Sequence, residues 1–357
     1  MSAPDAVFFA QTLLHWYARH KRPLPWRETK DPYAIWLSEV ILQQTRVNQG
    51  LPYYLDFINT YPAIQDLAQA PEEEVLRHWQ GLGYYSRARN MHHTARHIAR
   101  ERQGAFPSTY RDLLKLRGIG PYTAAAIASF AFGEKVAVLD GNVFRVLARV
   151  FGLSEDIASP AGKKAFQLLA DALIPASQPD TYNQAIMEFG ALQCTPNTPD
   201  CLFCPLQQQC FAFCNGLVQV LPHKSRARAS RERFFHYFVL RWQNQLYLKK
   251  RSQSDIWQGL YDFYLHETDS SEMPWEETQD HLETLGMEIK DHLPPAKTYK
   301  HLLTHQKIYA RFHQLELTAP LSPQALARTD LALFTSAELE QIPKPVMIAR
   351  YLKEVFF

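Results

Sequence analysis

At 357 residues the chain is long enough for about two domains of roughly 100 to 200 residues each, and a hydrophobic content of 46% can fill real cores, which excludes global disorder. Its most apolar stretch, Ala124 to Phe132, falls far short of the roughly 20 apolar residues of a membrane-crossing helix, so no membrane partner is expected. A net charge of +2, from 38 Lys plus Arg against 36 Asp plus Glu, singles out no partner, because a polyanion senses where charges sit rather than their total.

Taken in chain order, the apolar stretch Ala6 to Tyr17 is broken by Gln11 and His15. It lacks a basic leading segment and a small-residue cleavage site, and reads as an amphipathic helix of a non-secreted, cytoplasmic protein. Asp31-Pro32 predicts a helix start, since Asp is a good cap and Pro is tolerated in the first turn. That helix is expected to run through Trp36, Val40 and Val47, with Glu39, Gln43 and Arg46 on one stripe that suits a wet face. Pro71 followed by Glu72, Glu73 and Glu74 opens another, the acids favouring the positive end of the helix dipole. Between Arg77 and Arg117 nine Arg and Lys residues face two acids, and four histidines lie in the same stretch.

Leu116-Arg117-Gly118-Ile119-Gly120-Pro121-Tyr122-Thr123 stands between two helical segments and reads as a helix-hairpin-helix. Its glycines Gly118 and Gly120 let backbone N–H groups approach a phosphate at a helix N-terminus. Val138-Leu139-Asp140-Gly141-Asn142-Val143-Phe144-Arg145 then places an acid and an amide at another helix start. Cys194, Cys201, Cys204 and Cys210 follow at C-x6-C-x2-C-x5-C spacing, with Cys214 left over. Four thiolates in so compact a loop suit either zinc or a [4Fe-4S] cluster. Neither centre keeps an open position for substrate there, so the loop reads as structural.

Helical periodicity persists to about residue 221, and the run 222–233 reads as a basic linker. From Lys224 to Arg251 nine basic residues face Glu232 alone. Two such runs in a nearly neutral chain suit a surface that tracks phosphates. Beyond the linker the period changes to two: Phe234 to Leu240, a Gln243-Asn244 turn and Leu246-Tyr247-Leu248 predict a β-hairpin that opens a second, α+β domain.

Together these segments resemble the helix-hairpin-helix superfamily of DNA base-excision glycosylases, in its endonuclease III branch, and most of all the adenine DNA glycosylase family. The likeness spans roughly residues 5 to 221 and continues more weakly through 234 to 320. It implies an all-α, two-lobed glycosylase core: a six-helix lobe over 29–133 carrying the hairpin, and a cluster lobe from 1–28 with 134–221. A Nudix-like α+β domain over 234–357 follows. It also implies a [4Fe-4S] cluster on Cys194, Cys201, Cys204 and Cys210, and a monomeric enzyme bound to double-stranded DNA. In bifunctional relatives a lysine after the hairpin forms a Schiff base with the sugar; here Pro121-Tyr122 takes that place, which implies a monofunctional enzyme.

By the same resemblance Glu39 would protonate adenine and help activate water, Asp140 would stabilise the sugar cation, and Tyr122 and Asn142 would hold the two acids. Trp26 and Arg27 would cover the flipped adenine and Glu188 would meet its amino edge. Gln44, Thr45, Leu82 and Tyr84 would supply the wedge and opposite-base contacts. Thr304 and His305, in Leu302-Leu303-Thr304-His305, would read 8-oxoguanine opposite the target, where many relatives carry Phe-Ser-His. The helix Trp275 to Leu285 lacks the Arg-Glu-x-x-Glu of a Nudix box, so pyrophosphate hydrolysis is not expected. The substrates implied are A:8-oxoguanine and A:G mispairs. The rival readings are a bifunctional oxidised-pyrimidine glycosylase and lyase, and a non-enzymatic iron–sulfur protein that binds DNA.

Overall fold

A computed structural model describes residues 4–225, 230–295 and 297–356; of the basic linker expected at 222–233, residues 226–229 lie outside the described residues. The chain forms two compact units, one built from 1–68 with 93–226 and the other from 69–92 with 227–357.

The N-terminal half is helical throughout: α1 (Ala6–His20), α2 (Pro32–Leu42), α3 (Val47–Thr60), α4 (Ile64–Gln69), α5 (Glu72–His78), α6 (Ser86–Glu101), α7 (Tyr110–Leu113), α8 (Pro121–Phe132), α9 (Gly141–Phe151), α10 (Pro160–Leu173), α11 (Pro179–Leu192) and α12 (Phe211–Cys214). Local chemistry sets the starts. The Asp31 carboxylate accepts from the Tyr33 and Ala34 amides with Pro32 in the first turn of α2, and Asp140 caps α9 by accepting from Val143 N at 2.7 Å. The helix from Asp31 does not run to Val47 as its apolar spacing suggests. It ends at Leu42 because Gln44 takes a left-handed backbone, φ 56°, and the chain turns before α3. Glu39 and Arg46 therefore do not share one helical stripe, and Glu39 is 5% exposed rather than on a wet face.

Burial decides the packing within the first unit. In α8 every residue from Thr123 to Phe130 is buried, the signature of a helix covered on all sides, and it packs against α2 and α11. Helix α11 also packs on α1 and α9. These contacts bring α2, the start of α8, the start of α9 and α11 to one place.

In the second unit β1 (Arg231–Trp242), β2 (Gln245–Lys250), β3 (Tyr261–Asp262), β4 (Tyr264–Thr268), β5 (Ile289–Leu293), β6 (Thr298–Leu302), β7 (Gln306–Leu317) and β8 (Ala332–Phe334) form a mixed sheet of order β3-β2-β1-β7-β5, with β4, β6 and β8 paired to β1, β7 and β2. The expected hairpin is present, with Trp242 opposite Gln245, and β1 begins at Arg231, three residues before the apolar alternation. Its pairing with β7 is parallel, Arg231 beside Gln306 and Arg241 beside Glu316. From Phe235 to Leu240 it is buried on both faces, because helices cover both sides of the sheet. Phe238, Leu240 and Leu315 meet Leu282 of α13 (Trp275–Thr284) and Ala325 of α14 (Pro323–Thr329). On the other face Phe312 stacks 3.9 Å from Tyr351 of α16 (Val346–Val355); α15 (Ser336–Gln341) lies between α14 and α16 in sequence.

Candidate active site

A cavity of about 600 Å³ opens in the first unit, lined by Arg22, Trp26, Arg27, Glu39, Thr45, Tyr122, Asp140, Asn142, Arg145 and Glu188 among others. Eight of the residues that the sequence singles out thus converge on one hollow. It holds an acid pair and an ionic clamp.

Glu39 projects from α2 and accepts a hydrogen bond from the Tyr122 hydroxyl at 2.5 Å. Burial pushes its carboxyl up from 4.5 to about 7, the negative Asp140 adds to the rise, and the Tyr122 hydroxyl and Arg27 oppose it. Asp140, at the N-terminus of α9, is served differently. Burial raises its pKa as well, but the Val143 N–H, the Asn142 side-chain amide at 2.7 Å and the Arg145 guanidinium all favour its charged form. Of two acids in one cavity, Asp140 has several donors that favour its charged form against burial and Glu39 has one.

Asn142 is itself held. Arg145 donates from Nη2 to Asn142 Oδ1 at 2.9 Å and to Gly190 O at 2.6 Å, and from Nε to Cys194 O at 2.7 Å. In the clamp Glu188 of α11 is gripped twice, by Arg22 Nε and Nη2 at 2.8 and 2.5 Å and by Arg27 Nη1 and Nη2 at 2.9 and 2.8 Å. Burial alone would raise the Glu188 pKa; the two guanidiniums override it and hold the carboxyl down at about 2. Trp26 is buried, with its ring edge-on to Tyr54.

Cys194, Cys201, Cys204 and Cys210 line one small cavity together with Arg149 and Phe189, and none is in a disulfide. Among the described residues no group of three or more His, Cys, Asp or Glu is set in metal-holding geometry. The donor set nevertheless fits a thiolate-ligated centre. Burial pushes the Cys204 thiol up to about 12, so thiols crowded this closely ionise together only around a cationic centre. Arg149, 3% exposed, donates to Cys194 Sγ at 3.4 Å and to Thr195 O and Pro196 O at 2.7 and 2.9 Å.

The remaining singled-out residues lie elsewhere. Gly118, with φ 79°, and Gly120 are exposed on the hairpin before α8, and no side chain caps that helix. Gln44 is exposed at its turn, whereas Leu82 is 7% exposed. Tyr84, Thr304 and His305 share a second cavity of about 270 Å³ within the second unit, which Trp257 also lines, and the Tyr84 hydroxyl is hydrogen-bonded to Thr304 Oγ1. The sequence reading missed Arg22, Arg145 and Arg149. A buried arginine leaves no mark in helical periodicity, although Arg145 closes the very segment that carries Asp140.

Known proteins resemble this chain in sequence and fold. A family model described as HhH-GPD superfamily base excision DNA repair protein matches residues 37–172, and a Nudix domain model matches 236–354. The chain is 34% identical over 305 residues to an adenine DNA glycosylase of Buchnera aphidicola subsp. Baizongia pistaciae, covering 85% of this chain and 84% of that protein. It is 44% identical over 217 residues to the adenine DNA glycosylase of Homo sapiens, covering 58% of this chain and 40% of that one. Among solved structures, a thermostable thymine-DNA glycosylase superposes with a TM-score of 0.54 at 29% identity, over 59% of this chain and 97% of that chain. A non-covalent endonuclease III–DNA complex, at 21% identity and a TM-score of 0.51, shares the fold. The chain belongs to the adenine DNA glycosylases of base excision repair, hydrolases acting on N-glycosidic bonds.

Proposed function

We propose that this protein excises adenine opposite 8-oxoguanine, and opposite guanine, by a monofunctional reaction in the first-unit cavity. The observation that carries the proposal is the acid pair, with Glu39 poised near 7 under the Tyr122 hydroxyl and Asp140 under three cationic or N–H donors. An adenine inside a duplex is out of reach, so the nucleotide must leave the stack, at a cost of a few kcal/mol. Protonated Glu39 gives its proton to N7 of the flipped adenine. The bond from C1′ to N9 breaks, its electron pair leaves with a neutral base, and Asp140 stabilises the positive sugar as in two-carboxylate glycosidases. Glu39, now a carboxylate, accepts a proton from the attacking water and is restored.

Trp26 and Arg27 cover the base, and the Glu188 carboxylate, fixed by Arg22 and Arg27, accepts from its amino edge. Asn142 and Tyr122 position the two acids. Gln44, Thr45, Leu82 and Tyr84 contact the opened duplex, Gly118 and Gly120 hold a phosphate, and Thr304 with His305 read the base opposite adenine. Cys194, Cys201, Cys204 and Cys210 hold a [4Fe-4S] cluster, which when bound cross-links the loop 194–210 and leaves no position open to substrate. Four irons per chain are expected in the purified protein; a single zinc would overturn that assignment. The enzyme acts as a monomer in the cytoplasm, associated with the nucleoid.

Single-turnover adenine release from duplexes carrying A opposite 8-oxoguanine, G, C and T tests the function. Release opposite the first two, faster for the oxidised base, is expected. Equal rates with all four would refute the pairing.

A further inference from the structure

We propose that Arg233 is the positioning residue of the opposite-base cavity: it fixes the spacing of two of its walls and thereby sets the preference for 8-oxoguanine over guanine without touching DNA. The inference rests on the reading that this cavity receives the opposite base. Arg233 lies on β1, and its side chain is 8% exposed.

All five of its donors are used, on three side chains from three separate segments. Nη1 and Nη2 make a bidentate pair with Asp255 at 3.0 and 2.9 Å. Nε and Nη2 make a second with Glu267 of β4 at 2.7 and 2.6 Å. The remaining Nη1 proton goes to Gln306 Oε1 at 3.0 Å. Asp255 and Gln306 both line the cavity, Asp255 next to Ile256 and Trp257, Gln306 next to Thr304 and His305.

Each wall has anchors of its own, Trp257 edge-on to Phe235 and His305 O accepting from Arg231 N at 3.0 Å, and Arg233 joins the two. The first is a loop in which Trp257 and Gly259 have left-handed backbones, φ 61° and 85°; a second arginine, Arg251, reaches Asp255 Oδ2 at 3.1 Å and Ile256 O at 3.1 Å. The second wall is the tight turn from β6 to β7, closed by Leu303 N to Gln306 O at 2.8 Å. A planar guanidinium with five fixed donors holds such segments at one separation, whereas an ammonium offers a point charge with three movable donors. 8-Oxoguanine and guanine differ by an oxygen at C8 and a proton at N7, so telling them apart depends on donors placed within a few tenths of an ångström.

The test measures, for wild type and Arg233→Lys, the ratio of Kd values for duplexes with A opposite G and A opposite 8-oxoguanine, alongside thermal unfolding. Lysine keeps the charge between Asp255 and Glu267 but cannot span three partners. A native-like Tm with a ratio lowered about tenfold is expected. Gln306→Met, which removes one partner and leaves the ion pairs intact, should lower the ratio about threefold, and the double variant should fall no further than Arg233→Lys, because both act through one contact. A wild type without preference would refute the opposite-base reading and this inference with it. If wild type discriminates and a folded Arg233→Lys does so equally well, within twofold, only the inference fails. Should Arg233→Lys not fold, an unchanged ratio in Gln306→Met overturns it.

Discussion

At the scale of single residues, the acid pair trades stability for chemistry. Glu39 has a pKa of about 7 in the folded protein against 4.5 when solvated, so between these values the native state holds a proton that the unfolded chain has released. Stability therefore falls as pH rises through that window, by on the order of 3 kcal/mol at 1.36 kcal/mol per unit. Glu39→Gln removes the ionisable group and should be more stable than wild type at pH 8, with the difference shrinking toward pH 5. The same variant should release adenine about 10²- to 10⁴-fold more slowly, the usual worth of a general acid, while binding DNA normally. Parallel denaturant titrations and single-turnover rates across pH check both, and a pH-independent stability difference would contradict the buried-acid account. Sequence marks place Glu39 in a capped helix and Asp140 at a helix start, but only the family resemblance joined them as a pair, and local spacing put the buried Glu39 on a wet face. Arg22 and Arg145 were not legible, since their roles depend on partners 166 and 45 positions away.

At the scale of elements, the helices are positioned by close backbone approach as much as by apolar stripes. Gly190 sits in α11 where it crosses α9. A Cβ built there would stand 2.6 Å from Asn142 Cβ and 2.9 Å from Asn142 O. Glycine to alanine within a helix ordinarily stabilises by about 1 kcal/mol. Here the clash is with backbone, which cannot swing aside, and overpacking costs about 1–3 kcal/mol, so the sign reverses. Gly190→Ala should lower Tm and, because the displaced residue is the one that orients Asp140, should also slow single-turnover adenine release. A stabilised variant of normal rate would show that α9 and α11 have slack between them. Pro71 with three acids, the Gly-x-Gly-Pro hairpin and the Asp140 cap foretold where α5, α8 and α9 start. The break after Leu42 escaped because apolar spacing continues across it, and only the left-handed Gln44 interrupts the helix. The two-sided burial of β1 likewise depends on helices from 275–284 and 346–355, which local alternation does not register.

For the whole molecule, the change of period after residue 221 marks the α+β region well, and β1 and β2 lie where it indicates. That 69–92 groups with 227–357 is invisible to any local pattern, being a property of contacts between distant segments. What the assembled chain does to DNA depends on one missing functional group. Strand cleavage by this superfold requires an amine that attacks C1′ and carries the sugar as a Schiff base. The residues lining the first-unit cavity include four arginines and no lysine. Arginine stays protonated at any working pH and has no lone pair to give, and the position after the hairpin is Tyr122, whose hydroxyl already donates to Glu39. Water is then the nucleophile that completes the reaction, and the product is an intact strand with an abasic site. Denaturing gels should show breaks only after alkali, and borohydride added during turnover should trap no covalent adduct. An adduct would mean that an amine outside the lining set reaches C1′, and would reassign the chain to the strand-cleaving branch of its fold.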